Sequence, residues 1–247
     1  MLVGQPSEDL GARKDAGMLT VLPAPGATPA GPGPYAVTQN TPGIPGAVEA
    51  GDRFGAAVDA FLGVAWVGVP YEDVGAVRDA GIVHGLRIGA TKVTSLTHLR
   101  QGQDNGVTMP GRPEAGDHFG ASVRGGQLDF PDGECQQRQV IIGVPGEDVG
   151  TTKNAGEADS YFGRDRSVFC LPGAKFNLGA NAHLGDRLGA AVARMSNEDS
   201  PDRLLLGIPR ADVATALDTG VVLKGRTAYT HSDGTVSGAH YGAVLNR

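Results

Sequence analysis

Three kinds of residue in this chain could carry chemistry, and each has a definite spacing. Acidic residues recur at one equivalent place, as Glu8-Asp9, Glu72-Asp73, Glu147-Asp148 and the lone Asp212. Paired carboxylates suit general acid–base work. A single active site, however, needs unlike residues in unique places, and these come back. They read as turn residues, one set per repeat, that together put a ring of carboxylates on one face, able to attract cations or a basic partner. The histidines are His84, His98, His118, His183, His231 and His240. None forms a His-x-x-x-His or Cys/His cluster of the kind that binds zinc. His118 and His240 stand where Arg53 and Arg187 stand in other copies, which reads as a tolerant surface position. No nucleophile elbow and no phosphate-binding loop is present.

The two cysteines, Cys135 and Cys170, lie nearly symmetrically about Gly150-Thr151-Thr152. In a hairpin the start of one strand lies beside the end of the next. A disulfide between them is therefore the expectation, with two free thiols as the alternative. An oxidising compartment would follow from the bond.

Repetition fixes how these residues are positioned. Gly51-Asp52-Arg53-Phe54-Gly55-Ala56-Ala57-Val58 leads to Gly68-Val69-Pro70-Tyr71-Glu72-Asp73 and Asp79-Ala80-Gly81. Gly116-Asp117-His118-Phe119-Gly120 leads to Gly143-Val144-Pro145 and Asn154-Ala155-Gly156, and Gly185-Asp186-Arg187-Leu188-Gly189 to Gly207-Ile208-Pro209 and Asp218-Thr219-Gly220. Residues 1–22 match the back half of this unit, from Gly4-Gln5-Pro6 to Asp15-Ala16-Gly17, and 238–247 match its front half. The repeats run approximately over 1–50 completed by 238–247, then 51–115, 116–184 and 185–237, in one domain of 1–247. The segment Tyr241-Gly242-Ala243-Val244-Leu245 is expected to complete the first repeat.

Each repeat reads as four short strands, for example Phe54 to Ala60, Val64 to Val69, Gly81 to Ile88 and roughly Val93 to Leu99. The constant spacing from the proline to Asp-x-Gly or Asn-x-Gly predicts a fixed turn whose glycine takes a positive φ. Residues 23–34, rich in proline and glycine, read as an extended surface loop. Glycine (39 residues) and proline (16) are abundant and aromatics few (5%), which suits an all-β chain full of turns. A net charge of −6 with no basic block gives nucleic-acid binding no support. No apolar run reaches membrane-spanning length.

Phe54-Gly55 with Gly68-Val69-Pro70, and Phe119-Gly120 with Gly143-Val144-Pro145, resemble FG-GAP repeats, the units of the β-propeller at the head of integrin α subunits and of many bacterial secreted proteins. The resemblance implies four-stranded antiparallel blades about an axis, here about four, closed by the two chain ends or forming an arc of a larger ring. It also implies a ligand face built by the loops between blades and between strands two and three. In this family the loop between strands one and two often binds calcium through several convergent carboxylates. The first complete repeat offers only Asp59 there. Asp129 and Asp132 in the second, and Asn197 and Asp199 in the third, form degenerate versions that read first as polar turns. No cofactor is expected, with calcium at most weakly held.

The function implied is a non-enzymatic binding or scaffold module for a protein or glycan ligand, secreted or at the cell surface, its leader absent from this chain. A secreted hydrolase or its propeller portion, and a structural fragment of a larger integrin-like propeller, are the alternatives.

Overall fold

The computed structural model describes residues 1–22, 33–102, 109–129, 136–162, 174–194, 204–212, 217, 219–224, 227–229 and 243. These form strands and turns, with one 3₁₀ turn at Gly179–Asn181. The strands fall into four antiparallel sheets, none closed into a barrel.

The first sheet contains β1 (Leu2–Gln5), β2 (Met18–Val21) and β3 (Tyr35–Val37). The second contains β4 (Ala57–Phe61), β5 (Val64–Val69), β6 (Ile82–Ile88) and β7 (Val93–Leu99). β8 (Ser122–Asp129), β9 (Gln136–Val144), β10 (Glu157–Phe162) and β11 (Ala174–Phe176) make the third. β12 (Ala191–Arg194), β13 (Leu204–Ile208), β14 (Val221–Lys224) and β15 (Thr227–Tyr229) make the fourth. In each four-stranded sheet the strands lie in chain order, so every connection is a hairpin, the cheapest way to pair neighbours. The predicted four-strand unit is thus seen in three sheets. The expected completing strand at Tyr241–Leu245 and the cysteine pair Cys135–Cys170 lie outside the described residues, Ala243 apart.

The second strand is the buried one. All six residues of Val64–Val69 are buried, as their β-branched and small side chains require of a strand covered on both faces. Three apolar clusters sit between successive sheets. One joins Leu19 and Val37 to Phe54, Val67 and Leu86, another joins Trp66 and Val83 to Phe119 and Ile142, and a third joins Ile141 and Ala158 to Leu188 and Ile208. Trp66 meets Tyr161 of the next sheet edge-on, with ring centres 6.1 Å apart. The edge strands β4, β8 and β12 also lie against one another.

The first strand starts later than predicted, and the reason defines the junction between sheets. Phe54 is not in β4. Its N–H donates to Ala16 O at 2.9 Å, so it is tied to the preceding sheet. Phe119 does the same to Ala80 O at 2.9 Å, and Leu188 to Ala155 O at 3.0 Å. The residue before each repeats the pattern one step back, to Asp15, Asp79 and Asn154. We call each such junction a seam. At two of the seams the turn glycine and the residue before the next Gly form a short parallel bridge, Gly17 with Phe54 and Gly156 with Leu188. Gly17, Gly81 and Gly156 hold φ of 83–85°, as the turn reading expected, and a Cβ on any of them would meet the crossing backbone at 2.3–2.4 Å. The recurrent Phe-Gly and Asp-x-Gly are therefore two halves of one joint.

The loop after β4 is a tight turn, and Asp59 points away from it to the next sheet. Leu62 and Gly63 take positive φ, giving a two-residue hairpin of the kind that matches strand twist. The Asp59 carboxylate instead reaches the next sheet, accepting from Gly125 N at 2.7 Å and facing Arg124 at 3.4 Å. Asp129 ends β8, paired with Gln136 across the ladder. Asp132, Asn197 and Asp199 lie outside the described residues, as does the Asp129 side chain. Among the described residues no group of three or more His, Cys, Asp or Glu is placed to hold a metal ion.

Candidate functional site: the face of the seam loops

The loops ahead of each x-Phe-Gly and the turns between second and third strands are hydrogen-bonded to one another. Gly51, Gly116 and Gly185, just ahead of each x-Phe-Gly, donate to Lys14, Arg78 and Lys153 O in the turns between second and third strands of the preceding sheet. Gly146 and Arg210, just after the proline, donate in turn to Asp117 and Asp186 O. Backbone bonds thus lace the two kinds of loop into one surface.

The repeated acids are exposed only in part: Asp73 and Asp212 are exposed and Asp148 is half-buried. Glu8 and Asp9 are exposed, but Glu72 and Glu147 are buried inside seams. Each carboxylate accepts from a glutamine of the preceding sheet, Glu72 from Gln39 Nε2 at 2.6 Å and Glu147 from Gln101 Nε2 at 2.7 Å. At the next seam Leu178 and Ala211 stand in these two places and join the same apolar cluster. A polar pair has been replaced whole by an apolar one, so neither partner is left unsatisfied. The second acid, Asp73 or Asp148, accepts the backbone N–H of Asp79 or Asn154 and so shapes the turn, as Asp9 does for Asp15.

A third acid sits beneath. Asp52, Asp117 and Asp186 of Gly-Asp-x-Phe-Gly are 1–2% exposed, and each accepts the N–H of the residue three back. Burial pushes Asp52 up to about 6, despite the hydrogen bond from Glu49 N, and Asp117 up to about 7. Burial likewise lifts Glu72 to about 7, with Asp52 adding repulsion against the relief from Gln39. Glu147 and Asp186 move the same way for the same main cause. Near neutral pH Glu72 and Asp117 are poised between charged and neutral forms.

One cluster breaks the repeat. Glu157 and Asp159 occupy places held by Met18, Ile82 and Val221, and by Thr20, His84 and Leu223. Both are buried. Glu157 faces Lys175 Nζ at 2.7 Å and accepts from Asn177 at 2.8 Å, and Lys175 also lies 3.6 Å from Glu147. Asp159 has no hydrogen-bond donor among the described residues, and burial with its neighbour Glu157 pushes it far above the usual carboxylate range. With 0% exposure it touches no solvent, so no substrate reaches it. Aligning the copies would have exposed both residues, since a carboxylate replaces an apolar or neutral side chain in each.

Above the seams runs a row of cationic and aromatic side chains. Arg53 lies over Tyr71, its guanidinium carbon 4.8 Å from the ring centre, a cation–π contact. Tyr71 in turn packs on His118, ring centres 4.7 Å apart and tilted 52°. Arg187 holds the equivalent place at the next seam, and its charge adds to the burial that lowers the His118 pKa, against the opposing pull of Asp79. Arg53, His118 and Arg187 hold φ of 59°, 55° and 58°, a conformation uncommon for such side chains. His118 is thus a stacked member of an ordered row, half-buried rather than loosely tolerated. His240 lies outside the described residues. The row draws on loops whose residues are far apart in sequence, and only the shared offset before Phe or Leu hints at it.

Compared with models of known protein families and with curated proteins, the sequence matches none.

Proposed function

We propose that this chain is a non-enzymatic binding or scaffold module, a propeller of about four FG-GAP-type blades acting outside the cell or at its surface. Its ligand face is the surface made by the loops between sheets and by the loops between second and third strands. One observation carries this reading: the loops from successive seams are laced by backbone bonds and present the stack Arg53–Tyr71–His118, with Arg187 at the equivalent place of the next seam. Rigid loops lose little entropy on binding, which favours affinity.

The test is selection from a random-sequence displayed peptide library, followed by hydrogen exchange on the intact protein with the selected peptides. Binders that protect 51–54, 70–74, 116–119 and 145–149 are the expected result. Binders that protect only the outer strands β3, β7 and β11, or a library that yields none, would count against the face.

A further inference from the structure

We infer that two copies of this chain pair through the end of the sheets opposite the seam loops, the Leu62 hairpin of each copy seating in the cleft between the first and second sheets of the other. This pairing is separate from the binding face and leaves it free.

The hairpin between β4 and β5 carries an anomaly at its tip. Leu62 is 56% exposed and holds a φ of 48°, next to Gly63 at 78°. Turns of this shape take Asn or Asp in that place, and a bulky apolar side chain is uncommon in the left-handed region. Neither the backbone nor burial within the chain accounts for a leucine there. The tip is also held in place, for Ile88 N donates to Gly63 O at 3.2 Å and ties the turn to the third strand.

Beside this knob lies a hole. A cleft of about 430 Å³ opens between the first two sheets, with Leu2, Val21 and Leu22 on one wall and Val58, Ala60 and Ile88 on the other. Its volume lies in the range that takes a small molecule, so it can hold a leucine with the turn that carries it. The first wall is fixed by two backbone bonds, Met1 N to Leu22 O at 3.0 Å and Leu22 N to Met1 O at 2.9 Å. A rigid knob and rigid walls lose little entropy on docking.

Two features select a second copy as the occupant. Ala60 and Gly63 belong both to the hairpin and to the rim of the cleft, so knob and hole stand side by side on one surface. A two-fold contact needs that arrangement, since each copy then gives a knob and receives one. The second feature is charge. The chain carries −6, yet among the described residues that line the cleft Asp59 alone has a charged side chain, and it is committed to Gly125 N and Arg124. Alternation along β6 turns the neighbouring Arg87 to the opposite face from Ile88. Two acidic copies therefore meet here without facing unpaired carboxylates. The seam loops stay free at the far end of each copy, which gives the pair two ligand faces.

Sedimentation of the intact protein over a concentration series up to the millimolar range is the test. A dimer should form, and Leu62→Asn and Ala60→Glu should each weaken it by about tenfold or more. Asparagine suits the left-handed turn, so Leu62→Asn should melt no lower than the original in dilute solution. Ala60 is exposed in the single chain, so a glutamate there is tolerated until a second copy covers it. Should Leu62→Asn melt lower, Ala60→Glu decides alone. Leu184→Asn is the control, because Leu184 is 77% exposed but stands just before the seam at Gly185, and its dimer should be unchanged. A protein that stays monomeric, a dimer that ignores both substitutions, or a dimer that Leu184→Asn breaks as readily overturns the inference. So does a monomer whose cleft takes up free indole, read from NMR shifts of Leu22 and Ile88, for the occupant is then a small molecule.

Discussion

Replacing Gly68 or Gly143 by alanine should sharply destabilise the protein. Neither glycine needs a special φ. Each lies where the second strand of one sheet is crossed by the Gly of the next x-Phe-Gly, and a Cβ would sit 2.0 Å from Gly120 O and 1.9 Å from Gly189 O. The obstacle is the backbone of the next sheet, so relief requires the sheets to move apart and the clusters between them to open. Overpacking of this kind costs about 3 kcal/mol or more. For a chain of this size that is a fall in melting temperature of roughly 6–12 °C. Gly75→Ala is the control. Its φ of 65° makes alanine strained, yet nothing lies within 4 Å of the new Cβ, so the cost should stay near 1–2 kcal/mol. Equal losses at Gly68 and Gly75, measured by thermal and denaturant melts, would show that the crossings are looser than described.

The protein should also be more stable near pH 5 than at pH 8. Asp52, Glu72, Asp117, Glu147, Asp159 and Asp186 all have folded-state pKa values raised by burial. Between the ordinary carboxylate range and about 6–7 the folded chain therefore holds protons that the unfolded chain has released. Stability is fully present below the unfolded values and is lost as pH rises through the folded ones. His84 works in the opposite sense. Burial holds it down to about 4, so it withdraws stability as pH falls below its unfolded value, and the lowered His118 does so more weakly. Six acids against two histidines leave the balance with the acids. A net gain of about 2 kcal/mol at pH 5 corresponds to roughly 4–8 °C in melting temperature. Glu72→Gln should flatten part of this slope, because a neutral amide replaces the carboxyl. A higher melting temperature at pH 8, or an unchanged slope in Glu72→Gln, would contradict the buried-acid picture.

The sheets were legible because their signals are local. Val64–Val69 reads as a buried strand from its own residues, and the fourth strand, read roughly over Val93 to Leu99, is β7. The seams were only half legible. The sequence shows Phe54-Gly55 and Asp15-Ala16-Gly17 as separate repeated words, and nothing local says that they hydrogen-bond to each other across sheets. Glu72 and Glu147 read as surface turn residues because they stand in a turn. Their burial depends on Gln39 and Gln101, one repeat earlier, whose shared offset after the fourth strand was the available signal. Glu157 and Asp159 were hidden for a different reason: a break in a repeat is visible only when the copies are aligned position by position. The row over the seams depends on stacking between loops of different repeats, which spacing along the chain does not encode.

The seams are the joints on which the face stands, and their buried carboxyls report on them directly. A carbon-13 NMR titration of the aspartate and glutamate carboxyls in the native protein reads each one. Midpoints near 6 for Asp52 and near 7 for Glu72 and Asp117 are the predicted result. If Asp52, Glu72 and Asp117 all titrate in the ordinary range of about 4, these groups face water and the seams are not closed as described.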